Sequence, residues 1–135
     1  MEREDMISYL MIEGYLKSAD IISVFKKVPR KNFVLPEFKA EAYEDIPLPI
    51  LYGQTISAPH MYAIMLELAQ VKRGEKVLEI GTGSGYGAAL LSKLAGSSTK
   101  VYSIEIIPEL AEFARKNLAK SIIKNFQVIV GNVNL

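Results

Sequence analysis

Apolar residues recur at helical spacing in two short stretches at the start of the chain. Met6, Tyr9 and Leu10 predict a short helix that ends at Gly14. Ile21, Ile22, Val24, Phe25 and Val28 predict a second helix, capped by Ser18 and stopped by Pro29. The pattern then lapses. Across residues 29–58, Pro29, Pro36, Pro47 and Pro49 are spread through a segment of little periodicity, and an irregular stretch of that length inside a compact domain is more often functional than idle. Regularity returns at Pro59, which suits the first turn of a helix, with Met61, Ile64, Met65, Leu68 and Ala69 following at helical spacing. Residues 76–80 read as a strand ended by the cluster Gly81, Gly83 and Gly85, and residues 88–94 read as a helix. A strand over 101–105 follows, then a helix opened by Pro108 with Leu110, Ala111, Ala114 and Leu118 inward, then a strand over 126–130. Strand, helix, strand, helix, strand is the pattern of parallel βαβ units, so the expected class is α/β.

Composition narrows the chemistry. Half of the 135 residues are apolar and 23% are charged, as in one globular domain. Sixteen basic against fifteen acidic residues leave +1, too little to recruit nucleic acid or anionic lipid. No cysteine and a single histidine exclude disulfides, thiolate nucleophiles and a histidine-rich metal site, so no metal is expected. The opening MEREDMISYL lacks the basic region and apolar run of a secretory signal. The uncharged stretch 46–66 is broken by Pro47, Pro49, Gly53, Gln54 and Pro59, which makes it loop and then helix, not a membrane span. A cytoplasmic location is the expectation.

The sharpest local signal is Glu79-Ile80-Gly81-Thr82-Gly83-Ser84-Gly85-Tyr86. Glycines between a strand and a helix let the backbone turn tightly and approach a ligand, with helix N–H groups aimed at it. The dinucleotide fingerprint would place its third glycine where Tyr86 stands. The every-second-residue glycines, with an acid two residues before the first, favour S-adenosylmethionine instead. Glu105 ends the second strand, where a carboxylate can accept both hydroxyls of a ribose. Glu79 can face the cofactor's ammonium group or hold the glycine loop. Gly131-Asn132 ends the third strand, beside the expected adenine position, although Gly-Asn is also an ordinary turn. The string Gly53-Gln54-Thr55-Ile56-Ser57-Ala58-Pro59-His60-Met61 matches no general catalytic rule: Ser57 reads as a helix N-cap and His60 as a first-turn residue. With no base near Ser57 in sequence, a serine-hydrolase reading has little support.

Taken together, GQTISAPHM, VLEIGTGSGY and VYSIE resemble the protein-L-isoaspartate (D-aspartate) O-methyltransferases, with PRKNFV and AYEDIPLPI similar to the family's approach to the same motif. The glycine loop is shared by many methyltransferases, whereas TISAPH is close to private to this family. The resemblance runs from Val28 to Asn132 and implies a Rossmann-like class I S-adenosylmethionine-dependent methyltransferase fold. Residues 1–58 would be a helical and loop segment leading into the substrate cleft, and residues 59–135 the first half of the cofactor-binding domain, in one structural domain overall. The implied reaction methylates the free α-carboxylate of an L-isoaspartyl residue and leaves S-adenosylhomocysteine. The ester then collapses to a succinimide that reopens partly to normal aspartate.

Carried over position by position, Ser57 takes the place of the active-site serine, and Thr55, Ile56 and His60 line the same cleft. Glu79, Gly81, Thr82, Gly83 and Ser84 meet the cofactor, Glu105 and Ile106 meet its ribose side, and Gly131 and Asn132 lie beside the adenine. A carboxylate is ionised at neutral pH and a sulfonium is an activated donor, so neither a general base nor a His–Asp pair is expected. Asn132 departs from the aspartate usual in the family. The family's sheet also continues past a third strand, with its first strand between the second and the fourth. A chain stopping at Leu135 leaves that first strand as an apolar edge, from which self-association or a second chain is expected. Isoaspartyl peptides and proteins are the expected partners, with no nucleic acid and no membrane. Two other readings stay open: a non-catalytic cofactor-binding or interaction module, and a methyltransferase for another acceptor.

Overall fold

The computed structural model describes residues 2–133, so Met1 and the ending at Leu135 lie outside the described residues. Its centre is a parallel sheet of three strands, β3 (Val77–Ile80), β4 (Val101–Glu105) and β5 (Phe126–Val130), in that spatial order. The crossovers are α4 (Tyr86–Ala95) and α5 (Pro108–Lys120), and the connected pattern is the α/β, Rossmann-like arrangement of methyltransferases. The expected strands are met nearly residue for residue. Helix α4 starts two residues earlier than expected, because the chain becomes helical directly after Gly85.

Register decides which side chains share a face. Leu78, Tyr102 and Gln127 stand side by side, as do Ile80, Ile104 and Ile129. These six are on the side of the sheet turned from the core, with Leu78 60% and Ile80 65% exposed. The alternate set, Val77, Glu79, Val101, Ser103, Glu105 and Val128, faces the helices. Among the described residues β3 is an edge strand, as the family resemblance implied.

On the covered face, α4 and α5 pack against the sheet and against each other, and α2 (Ala19–Lys27) packs on α4. Helix α1 (Arg3–Ile12) lies on α2 and ends before Gly14, whose φ of 81° breaks the helical course. The inward positions expected for α2 and α5 are buried, except Ile22, which is half-buried. Ser18 stands at the start of α2, but its hydroxyl does not cap it. It donates to Glu67 Oε1 at 2.6 Å, while Glu67 Oε2 accepts from the Lys17 and Ser18 N–H groups at 2.7 and 2.8 Å.

Helix α3 (Pro59–Ala69) carries that glutamate and buries a different stripe from the most obvious one. Pro59, Ala63 and Leu66 face inward, whereas Met61, Met65 and Leu68 are exposed. The helix is apolar on nearly every side, so periodicity alone cannot select its inner face. The segment before it is not without structure. It folds as short 3-10 turns over Arg30–Phe33, Pro36–Glu41 and Leu51–Gly53, and as an antiparallel pair, β1 (Leu48–Pro49) with β2 (Thr55–Ile56). No helix among the described residues is long and apolar enough to cross a membrane.

Candidate active site

The loops leaving β3, β4 and β5 form the end of the sheet where ligands of parallel α/β folds gather. After β3 the backbone turns through left-handed glycines, Gly81 (φ 91°), Gly83 (φ 54°) and Gly85 (φ 91°). At Gly85 a side chain would be strained and would also press on α5, since a Cβ there would lie 3.2 Å from Ala114. Gly85 therefore takes the close-packing role that dinucleotide spacing reserves for the following position. Tyr86 is free to be large, and its ring is buried beside Phe33 and Tyr62.

The glycine loop is tied to β4 by both backbone and side chains. Gly81 N–H donates to the Ile104 carbonyl at 2.8 Å. Glu105 is only 6% exposed, and its two oxygens accept from Gly83 N–H at 2.9 Å and Ile107 N–H at 3.1 Å. Ser103 Oγ donates to Glu79 Oε1 at 2.6 Å, so the Thr82 hydroxyl, also 2.6 Å from Ser103 Oγ, is the donor in that second bond. Glu79 lies against the first turn of α4, where a Cβ on Gly87 would overlap its carboxylate. Burial pushes the Glu79 carboxyl up to about 7; the Ser103 hydrogen bond opposes the rise and the Glu105 charge adds to it.

The second wall comes from the irregular segment. Pairing of β2 with β1 turns Ile56 into the core and leaves Thr55 and Ser57 exposed. The wholly buried Arg30 reaches this loop: Nε donates to the Ala42 carbonyl at 2.7 Å and Nη2 to the Ser57 carbonyl at 2.9 Å. Its guanidinium also stands over the Tyr86 ring, 5.1 Å from the centroid. Tyr62 lies beside Ser57. Burial raises its phenol to about 12, with Arg30 and hydrogen bonding from Ser57 opposing the rise, so it keeps its proton at neutral pH. His60 is held by Asp45, whose Oδ1 accepts from the His60 backbone N–H at 2.8 Å and lies 3.0 Å from Nδ1.

A cavity of about 450 Å³ runs between α3 and the open edge of β3, lined by Tyr62 and Leu66 on one side and Leu78 and Glu79 on the other, and reaches Ser57 and Gly81. A larger depression of about 690 Å³, at the opposite end of the sheet among Lys76, Lys93, Lys100 and Lys124, holds none of the candidate residues.

The family model described as protein-L-isoaspartate(D-aspartate) O-methyltransferase matches residues 1–135. The chain belongs to this family. The protein-L-isoaspartate O-methyltransferase of Ignicoccus hospitalis is 51% identical over 97% of this chain and 62% of its own length. That of Pyrococcus abyssi is 52% identical over 93% of this chain and 57% of its own. The second such protein of Archaeoglobus fulgidus is 56% identical over 97% and 60%. This isoaspartate methyltransferase family member thus spans about 60% of the length of the curated relatives it matches. A solved protein-L-isoaspartate O-methyltransferase superposes with a TM-score of 0.84 at 31% identity, covering 97% of this chain and 42% of the other. A Plasmodium falciparum structure assigned to the same family, in complex with S-adenosyl-L-homocysteine, superposes with a TM-score of 0.87 at 25% identity, covering 98% of this chain and 64% of the other.

Within this isoaspartate methyltransferase scaffold, Ser57, Glu79 and Gly81 meet in one cavity, while Gly83, Glu105 and Gly131 are linked by the hydrogen bonds around β4. Ile106 and Asn132 are exposed beyond the strand ends. Four expectations need correction. Ile56 offers no side chain to the cleft because strand alternation buries it. Thr82 and Ser84 are also buried: Thr82 bonds Ser103, and Ser84 Oγ accepts from Tyr86 N–H, so their side chains brace the loop. Ser57 is not the N-cap of α3, since the chain enters the helix one residue later, at Ala58. A His–Asp pair does exist, formed by Asp45 from a turn far away in sequence. Arg30, Tyr62, Gly87 and Ser103 carry no expected role; the visible signals are the place of Arg30 in PRKNFV and a serine inside the otherwise apolar Val101–Ile104.

Proposed function

We propose that this chain forms the cofactor-binding and reactive part of a cytoplasmic repair methyltransferase, which transfers a methyl group from S-adenosylmethionine to the free α-carboxylate of L-isoaspartyl residues in damaged proteins. The observation that carries this reading is the shared cavity, whose lining includes Ser57 of one signature and Glu79 and Gly81 of the other. The residues present fit the cofactor. A Cβ at Gly81 or Gly131 would meet nothing within 4 Å, so the backbone there is open to a ligand's close approach. Glu79 offers a carboxylate to an ammonium group. Each Glu105 oxygen keeps a lone pair beyond the amide it already holds, available to ribose hydroxyls. Ile106, Gly131 and Asn132 flank the adenine position.

Bound S-adenosylmethionine supplies a methyl group on a sulfonium. The protein's task is placement, which can supply several kcal/mol of the barrier when the reacting atoms are held in line. The acceptor carboxylate is already ionised. The Ser57 hydroxyl donates to it, with Thr55 and His60 beside it and the protonated Tyr62 phenol behind. No hydrogen bond joins Ser57 to His60 among the described residues, so the Asp45–His60 pair holds the entry to α3 and does not activate Ser57.

Labelled S-adenosylmethionine, offered with an isoaspartyl peptide and its normal aspartyl counterpart, tests the reading. Label is expected in a base-labile ester of the first peptide only. Ser57→Ala should lower transfer about tenfold or more while S-adenosylhomocysteine affinity stays unchanged. Binding of S-adenosylhomocysteine without transfer would point to a non-catalytic module; transfer only to a different carboxylate would point to another acceptor. Association through the β3 edge, with a second copy or another chain, is supported by the exposure of Leu78 and Ile80. Sedimentation as a 15.0 kDa monomer would overturn that part.

A further inference from the structure

Arg30 is wholly buried, and among the described residues no carboxylate lies within ion-pair distance of it. Burying an unpaired charge is costly, and arginine does not escape the cost by losing its proton. Its immediate partners are carbonyls and a π-face, Ala42 O, Ser57 O and, at 3.5 Å, Ile46 O, with the Tyr86 ring beneath, while the Asp45 carboxylate acts on it only from beyond ion-pair distance. Among the described residues Nη1 has no hydrogen-bond partner. Local positive charge is thus only partly neutralised, one peptide group away from Ser57.

The direction of that peptide matters. The Ser57–Ala58 bond is trans, so its N–H points opposite to its C=O. With the carbonyl held on Arg30, the Ala58 N–H is turned to the other side, and among the described residues no acceptor takes it. The neighbouring donors are occupied: His60 N–H bonds Asp45, and Met61 N–H bonds the Ala58 carbonyl. A cation on the carbonyl polarises the peptide and strengthens the N–H as a donor to an anion.

We infer that Arg30 is a positioning residue for a carboxylate site, fixing the Ser57 carbonyl so that Ser57 Oγ and a polarised Ala58 N–H together face the carboxylate of the acceptor. The inference rests on the isoaspartyl reading and gives that reading its anion-binding element: the positive charge lies behind the loop, out of contact with the substrate.

The test compares Arg30→Lys, which keeps the charge, with Arg30→Gln, which keeps hydrogen-bond donors and removes it. Amide ¹⁵N–¹H shifts of the full chain are followed during titration with an isoaspartyl peptide, and S-adenosylhomocysteine affinity serves as the check on fold. In the wild type the Ala58 amide should move downfield on saturation. Arg30→Gln should weaken peptide binding about tenfold or more and abolish most of the Ala58 shift, and Arg30→Lys should restore both to within about threefold, with S-adenosylhomocysteine affinity equal in all three. Equal peptide affinity in wild type and Arg30→Gln, or equal losses in the two variants, would overturn the proposal. So would loss of fold in both variants, which assigns Arg30 to structure alone. A wild type that binds S-adenosylhomocysteine but shows no response to the peptide would overturn the isoaspartyl reading itself, an outcome distinct from the others.

Discussion

The sheet half of the molecule and the irregular segment before α3 satisfy their buried backbone in opposite ways. In β3, β4 and β5 the ladders pair peptide groups with one another, and side chains are left to pack. Between Pro29 and Ala58 there is only one two-residue strand pair, so side chains take over. Arg30 gathers carbonyls from Ala42 and Ser57, Asp45 takes the His60 N–H, and, at the far end of α3, Glu67 takes two N–H groups before α2. A ladder tolerates many sequences. A side-chain staple depends on one residue, and here two of the three, Arg30 and Asp45, hold the loop that carries Ser57.

Substitutions can break that contrast from either side. The largest effect is expected in the regular half, at Gly85→Ala. The positive φ and the contact with Ala114 should together cost about 3 kcal/mol in denaturant unfolding, and a loss below about 1 kcal/mol would show that α4 and α5 can part freely.

Next comes Glu79, where the loop asks for a charge that burial resists. Its folded-state carboxyl is raised to about 7 from an ordinary 4.5, so the folded protein holds that proton more tightly than the unfolded chain. Stability from this group is present below about pH 4.5, falls as pH rises towards 7 and is flat above. Glu79→Gln should remove the fall and stabilise the ligand-free protein by about 3 kcal/mol at pH 8, with no gain at pH 4. It should also weaken S-adenosylmethionine binding if the carboxylate pairs with its ammonium group. Melting curves at the two pH values check the first part and titration calorimetry the second.

Glu67 provides the opposite sign. Burial pushes its carboxyl up, but the hydrogen bonds from Ser18 and Lys17 outweigh this and leave it lowered. Its contribution is therefore present above the ordinary carboxylate range and lost as pH falls through the lowered value. Glu67→Ala should cost about 1–2 kcal/mol at pH 7 and less in acid, and an equal cost at both would mean the staple works through packing alone. The smallest effect belongs to the bare sheet face. Leu78→Lys should change the unfolding free energy of the dissociated chain by less than about 0.5 kcal/mol, because the side chain is 60% exposed, and should weaken association through β3; unchanged association would mean that Leu78 lies outside the contact.

The same contrast explains what could be read in advance. Strand and helix in the second half repeat with fixed periods, so the three strands and α5 were legible from apolar spacing and punctuation, whereas the open β3 edge was implied only by the family resemblance. Gly85 was legible as a glycine but not as the contact point of α4 with α5. The inner face of α3 was illegible because Met61, Met65 and Leu68 are as apolar as the residues it buries. Arg30 and Asp45 carry no periodic signal at all, and their partners lie 27 and 15 residues away.

Sequence alone determined the α/β class, the glycine loop between a strand and a helix, the family resemblance and the residue types available for chemistry. Each depends on local spacing or on a contiguous string, which the chain carries wherever it folds. Tertiary structure decided that Ser57 and Glu79 share a cavity, that Ile56, Thr82 and Ser84 turn inward, and that Asp45 finds His60. It also raised Glu79 towards neutrality and placed a buried cation behind the Ser57 loop. These follow from burial, from the low dielectric around buried groups and from contacts between distant segments, none of which a linear order of residues specifies.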